Sequence, residues 1–234
     1  MKKVIVLLLL AVIVFWWVKD PSVSVDTNDI SFDYIVKYSG GGGRGDSLPM
    51  LIALHGNGDK AKNFYKTALD QVKSPARIVL IKGPLSYGMG QAWPFSPADF
   101  SKYGKAFSEA VARLSHKYRT RGKPLLMGFS GGGMMAYYQA VKYGDIYSTL
   151  FPVSGNLSVA NLGDGPLRIG AEVIAFHGNK DSVLPISGGM RAKEILEENG
   201  VTVQFIEFNG GHLGVFTNMK GAVTRAIEEK LQLN

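Results

Sequence analysis

The chain contains no cysteine. This excludes a structural disulfide, a thiolate nucleophile and a cysteine-ligated metal site, and leaves the redox compartment open. Clustered charge is missing too. Only 19% of the residues are charged, and the net +7 is scattered among acidic residues between Lys60 and Lys230 without a long Lys/Arg block. Such a diffuse field attracts anionic surfaces but lacks the basic stripe interleaved with aromatics that nucleic-acid binding requires, so no nucleic-acid partner is expected. There is no internal repeat and no second domain-sized segment. At 234 residues and 46% hydrophobic content, the composition fits one folded domain with a short appendage.

The longest apolar run, residues 4–18, falls short of the ~20 residues that usually span a bilayer. Lys2 and Lys3 precede it, and Phe15, Trp16 and Trp17 close it. Positive residues before an apolar segment mark a secretory signal or a signal-anchor, and paired tryptophans suit the far membrane interface. No small-x-small cleavage site follows, because Trp, Val, Lys, Asp and Pro stand where it would lie. The expectation is an uncleaved signal-anchor over residues 1–20, a linker over 21–29 and an exported, membrane-anchored domain over 30–234. Cleavage and secretion are the alternative.

Beyond the linker, the pattern is repetitive. The alternating stretch 30–38 and runs at 50–54, 77–81, 125–128, 149–153, 173–177 and 201–208 read as strands. Helices are expected at 63–72, 99–118, 132–142, 188–199 and 215–231. Continuous apolar strands alternating with helices predict an α/β fold, a mostly parallel sheet covered on both faces. Residues 40–47 form a glycine-rich turn whose Arg44-Gly45-Asp46 string reads as a loop tip. The long connection 155–170 is expected to carry a small lid or a substrate-facing loop. In such a sheet, functional residues lie just beyond the carboxyl ends of the strands.

Gly128-Phe129-Ser130-Gly131-Gly132 fits G-x-S-x-G between an apolar strand and a helix, the strand-turn-helix setting of a nucleophile elbow. The string alone is weak, and its setting gives it weight. A phosphate-binding loop would need Gly-Lys-Ser/Thr, which is missing. A serine hydroxyl needs a positioned base. Of the four histidines, His116 lies within a long helix, and His55 and His177 each follow a strand directly. With the partners ordered serine, acid, histidine, only His177 and His212 come late enough, and His212 leaves room for an acid before it. Asp181, just beyond the strand at 173–177, is the expected acid, with Asp164 the weaker alternative. Oxyanion donors are expected from the backbone N–H groups of Asn57, in His55-Gly56-Asn57-Gly58-Asp59, and of Gly131. His55 then shapes that loop.

These four motifs together, Leu54 to Asp59, Gly128 to Gly133, Phe176 to Pro185 and Asn209 to His212, resemble the phospholipase/carboxylesterase branch of the α/β-hydrolases over residues 48–230. That branch includes small carboxylesterases and acyl-protein thioesterases. The resemblance implies the α/β-hydrolase fold with little or no cap, and a Ser130–His212–Asp181 triad. It further implies cleavage of carboxylic esters or thioesters through an acyl-enzyme, with no cofactor and no metal. Pro84 and residues 90–93 resemble the segment that forms the family's acyl pocket, which makes Trp93 a candidate substrate contact. One departure stands out. Many members carry glutamine after the nucleophile, whereas this chain has Gly131, as small residues stand there in polyester-depolymerase and feruloyl-esterase branches. With little sequence for a cap, a shallow site for small-molecule or polymer-end acyl esters is expected. A serine peptidase of the same fold and a non-catalytic, membrane-anchored binding protein are the alternatives.

Overall fold

The computed structural model describes residues 23–163 and 165–234. The expected signal-anchor and Asp164 lie outside the described residues. Among the described residues no helix is long and apolar enough to cross a membrane.

Ten strands form in chain order: β1 (Val23–Asp26), β2 (Ser31–Ser39), β3 (Met50–Leu54), β4 (Ala76–Ile81), β5 (Leu85–Tyr87), β6 (Gly90–Ala92), β7 (Leu125–Phe129), β8 (Thr149–Val153), β9 (Glu172–Gly178) and β10 (Val203–Phe208). Eight of them make one sheet in the order β1-β2-β4-β3-β7-β8-β9-β10. The pairs β1–β2 and β2–β4 are antiparallel, and every pairing from β4 through β3 to β10 is parallel. The central runs are buried on both faces, whereas β2 and β10 keep exposed residues. Every residue of β3, β4, β7 and β8 is buried.

The helices are α1 (Ala61–Phe64), α2 (Pro97–Lys117), α3 (Gly131–Lys142), α4 (Val159–Leu162), α5 (Ile186–Glu198) and α6 (Lys220–Gln232). Strand alternation sends successive side chains to opposite faces. Met50, Ile52 and Leu54 meet Phe107 and Val111 of α2, Met135 of α3 and Ile195 of α5 on one face. Leu51, Ala53 and Met127 meet Phe64 of α1 and Ile227 of α6 on the other. Gly104 of α2 lets that helix approach α3, since a Cβ there would stand 2.3 Å from the Tyr138 ring.

Three expectations are corrected. Residues 23–26 are not linker but the edge strand β1, pinned by burial of Val25. The connection 155–170 is not a lid. Its short α4 packs on α2 and α3, Arg168 pairs with Asp145 at 2.7 Å, and none of its described residues lines the cleft described below. The helix expected from residue 215 starts at Lys220, after a single tight turn at Gly214–Phe216.

The sheet order places the site. From β3 the chain moves outward to β4, then returns across to β7 on the other side of β3. The loops leaving β3 and β7 therefore diverge, and they open a crevice at this switch point, where ligands bind in open α/β sheets.

Candidate active site

Ser130 sits between β7 and α3 at φ 53, ψ −116. A non-glycine residue in that region is strained by ~1–3 kcal/mol, and the surroundings hold it there. The Ser130 N–H donates to the Val153 carbonyl at 2.9 Å. A Cβ on Gly128 would lie 2.0 Å from the Gly132 carbonyl oxygen, and one on Gly132 would lie 2.5 Å from that of Leu54. Only glycine fits these positions, so the elbow can close and expose Oγ at the head of α3.

His212 reaches the elbow from the loop after β10. Its Nδ1 lies 2.7 Å from Asp181 Oδ2 and its Nε2 3.0 Å from Ser130 Oγ. A carboxylate only accepts, so Nδ1 carries the proton and Nε2 is free to accept from the serine hydroxyl. The second Asp181 oxygen, Oδ1, accepts from the N–H groups of Val183 and Leu184 at 2.9 and 2.8 Å. These bonds fix the carboxylate, whose side chain is fully buried. Ser130, His212 and Asp181 thus come together from three separate strand ends, as the sequence order predicts.

Several supports escaped sequence reasoning. The Phe129 ring stands 4.9 Å from the His212 ring and 4.7 Å from Phe216. Ser154, fully buried with φ 46, donates from Oγ to the His212 carbonyl at 3.3 Å. His177 is fully buried, its Nε2–H donating to the Leu184 carbonyl at 2.8 Å and lying 3.5 Å from Asp181 Oδ2. The only sequence signal for Ser154 and His177 was their place at strand ends, which does not distinguish bracing from chemistry. His116 is exposed on α2.

The loop after β3 supplies the other side. Asn57 donates its N–H to no backbone carbonyl among the described residues, and Gly131 opens α3, where N–H groups lack helical acceptors. Both face the crevice beside Ser130, at the positive end of the helix dipole. His55 lies behind this loop, fully buried. Its Nδ1–H donates to the Gly56 carbonyl at 2.7 Å, and its Nε2 accepts from the Gly83 N–H at 2.9 Å. Burial pushes its pKa down and outweighs the raising effects of that bond and of Asp59. It is a neutral brace and not a base.

Trp93 is also behind the loop, which corrects its expected role as a substrate contact. The side chain is fully buried, its Nε1–H donates to the His55 carbonyl at 2.8 Å, and its backbone N–H donates to Asn57 Oδ1 at 2.8 Å. An indole buried on all sides cannot meet substrate. The adjoining hairpin β5–β6 lines the cleft instead, through Tyr87, and sequence reasoning missed it. Gly58 N–H donates to the Gln91 carbonyl and Gln91 N–H to that of Asp59, fastening the hairpin to the loop so that Tyr87 reaches the cleft, its ring 6.0 Å from that of Phe95.

The cleft is open and has a volume of about 1150 Å³. Phe64, Phe216 and Met134 form part of its wall, and Tyr87, Phe95, Val183 and Leu213, each more than half exposed, form its rim. Among the described residues, no lysine or arginine lines it, and Asp59 is its one carboxylate. Among the described residues no cluster of His, Asp and Glu suits a metal ion.

A parallel sheet with helices on both faces, a switch-point crevice and a strained serine turn at its centre are the architecture of an α/β-hydrolase. Residues 43–225 match the phospholipase/carboxylesterase family. The chain belongs to that family and is an esterase-type hydrolase. Solved structures of similar fold include a carboxylesterase from Mesorhizobium loti (TM-score 0.70, 15% identity, covering 89% of this chain and 98% of that one). The Bacillus cereus carboxylesterase is similar (TM-score 0.68, 17% identity, 85% and 96% coverage), as is Est1E from Butyrivibrio proteoclasticus (TM-score 0.60, 14% identity, 90% and 97% coverage). At these identities the likeness concerns the fold. No curated protein sequence matches the chain.

Proposed function

We propose that the protein hydrolyses uncharged carboxylic esters, and thioesters of the same acyl groups, through an acyl-enzyme on Ser130. The observation that carries this reading is the unbroken line of hydrogen bonds from Ser130 Oγ through both ring nitrogens of His212 to Asp181. In it, Ser130 Oγ attacks the acyl carbon while His212 Nε2 takes the hydroxyl proton. Asp181 holds the ring in the tautomer that can do so and stabilises the imidazolium that forms. The carbonyl oxygen, now negative, accepts from the N–H groups of Asn57 and Gly131. The imidazolium protonates the leaving alcohol or thiol. Water then attacks the acyl-enzyme with His212 again as base, and the acid leaves.

The apolar wall and the lack of cationic groups favour a neutral, hydrophobic acyl or alcohol part, and the open rim accommodates a polymer end. The apolar segment behind Lys2 and Lys3 supports export of the domain with its N-terminus held at a membrane. An exported protein recovered soluble and trimmed past Val18 contradicts that placement.

The test of the reaction is rapid-mixing kinetics with p-nitrophenyl esters of rising chain length. A burst of about one p-nitrophenol per protein, followed by slower turnover, marks an acyl-enzyme. Ser130→Ala, folded, should lose both phases. Turnover by Ser130→Ala at the wild-type rate contradicts the proposal.

A further inference from the structure

The side chain of Asn57 lies against Gly131 at the cleft. Its amide lies across Gly131: a Cβ built on that glycine would stand 2.3 Å from Asn57 Oδ1 and 2.6 Å from Nδ2. Gly131 has no positive φ and begins a helix, so nothing in its backbone demands glycine. The neighbouring amide does. Oδ1 is committed, since it accepts from the Trp93 N–H at 2.8 Å. That bond fixes the amide plane and leaves Nδ2–H without a hydrogen-bond partner among the described residues, in a side chain that lines the cleft beside Ser130 and Gly131. A partly buried amide held in one orientation, with its donor end unused and next to two backbone donors, is preorganised for an anion.

We infer that Asn57 Nδ2–H is a third oxyanion donor, and that Gly131 is glycine in order to leave room for it. The inference rests on the esterase reading above. As the bond from Ser130 Oγ to the acyl carbon forms, the carbonyl π pair moves to oxygen, and that oxygen accepts from the N–H groups of Asn57 and Gly131 and from Nδ2. The serine proton goes to His212. The backbone N–H of Trp93 positions the Asn57 amide.

The test is a double-mutant cycle between positions 57 and 131. Asn57→Ala keeps the backbone donor and should lower kcat about 10²-fold with KM within about threefold. Affinity for a boronic acid that mimics the tetrahedral adduct should fall in step with kcat. Gly131→Ala should lose activity to a similar extent, because its Cβ displaces the amide. The double variant should be no worse than Asn57→Ala, since the added methyl then meets nothing. Asn57→Asp keeps the acceptor for Trp93 N–H but turns an anion toward the oxyanion, so it should fall below Asn57→Ala. A near-wild-type kcat in Asn57→Asp would show that the side chain only braces the loop and would overturn the inference, as would losses that multiply in the double variant. Absence of fluorophosphonate labelling in the wild type is a different failure, since it removes the serine-esterase reading on which this inference stands.

Discussion

Asp181 divides its oxygens between two tasks, one accepting from His212 and the other from the N–H groups that follow it in the chain. Asparagine can keep the second task but not the first, because its amide nitrogen cannot accept from Nδ1–H. Asp181→Asn should therefore lower kcat by about 10³–10⁴-fold while the melting temperature stays within a few degrees. Equal loss of both would mean that the residue only holds the loop. At Trp93 the ranking reverses. Trp93→Phe leaves the buried His55 carbonyl without its donor, a loss of about 1–3 kcal/mol, readable as a lower denaturant midpoint. Ser130, His212 and Asp181 were legible in the sequence because chain order and strand ends constrain them. Trp93 was not, since its motif neighbours say only that it is near the site. Which side of a loop an indole lies on is decided by the backbone of residues 83–93, not by local pattern.

At the scale of elements, the elbow and the β5–β6 hairpin make opposite demands. The elbow needs two backbones in contact, so Gly128→Ala must move α3 or flatten the turn. We expect it to be insoluble or to lose about 3 kcal/mol or more, as with other strained overpacked sites, tested by chemical denaturation. The hairpin is a platform for an exposed side chain. Tyr87→Ala should raise KM for aromatic and long-chain esters severalfold, leave kcat nearly unchanged and spare acetate esters. A uniform fall in kcat for all of them would place Tyr87 in the chemistry instead. The long apolar strands were legible because burial on both faces writes a continuous hydrophobic run. The hairpin was not, because two three-residue strands around Gly88 and Met89 carry no period. The edge strand β1 was hidden by its shortness, with only Val25 of its four residues buried.

Over the whole molecule, the site depends on a buried sheet, and His55 is one of the polar groups enclosed beside it. His55 is fully buried and neutral, with its pKa pushed below the usual 6.5 by burial. Below about pH 6.5 the unfolded chain takes up a proton at His55 that the folded chain refuses, so stability falls with acidification across the interval between the two values and is fully present above it. The melting temperature should therefore decline as pH drops from about 7 to 5, with a shallower slope in His55→Gln. An unchanged slope would assign the loss to other groups. The switch point between β3 and β7 was not written at any one position. It lies in the strand order β4-β3-β7, whereas the alternation of strands and helices told only that the chemistry should lie beyond strand carboxyl ends. The most direct measurement of the central claim is peptide mapping by mass spectrometry after reaction with a fluorophosphonate. The account predicts one adduct per chain, on Ser130, abolished in Ser130→Ala and slowed by more than about 10²-fold when His212 is replaced by alanine. A folded wild type that stays unmodified, or one modified at another serine, contradicts it.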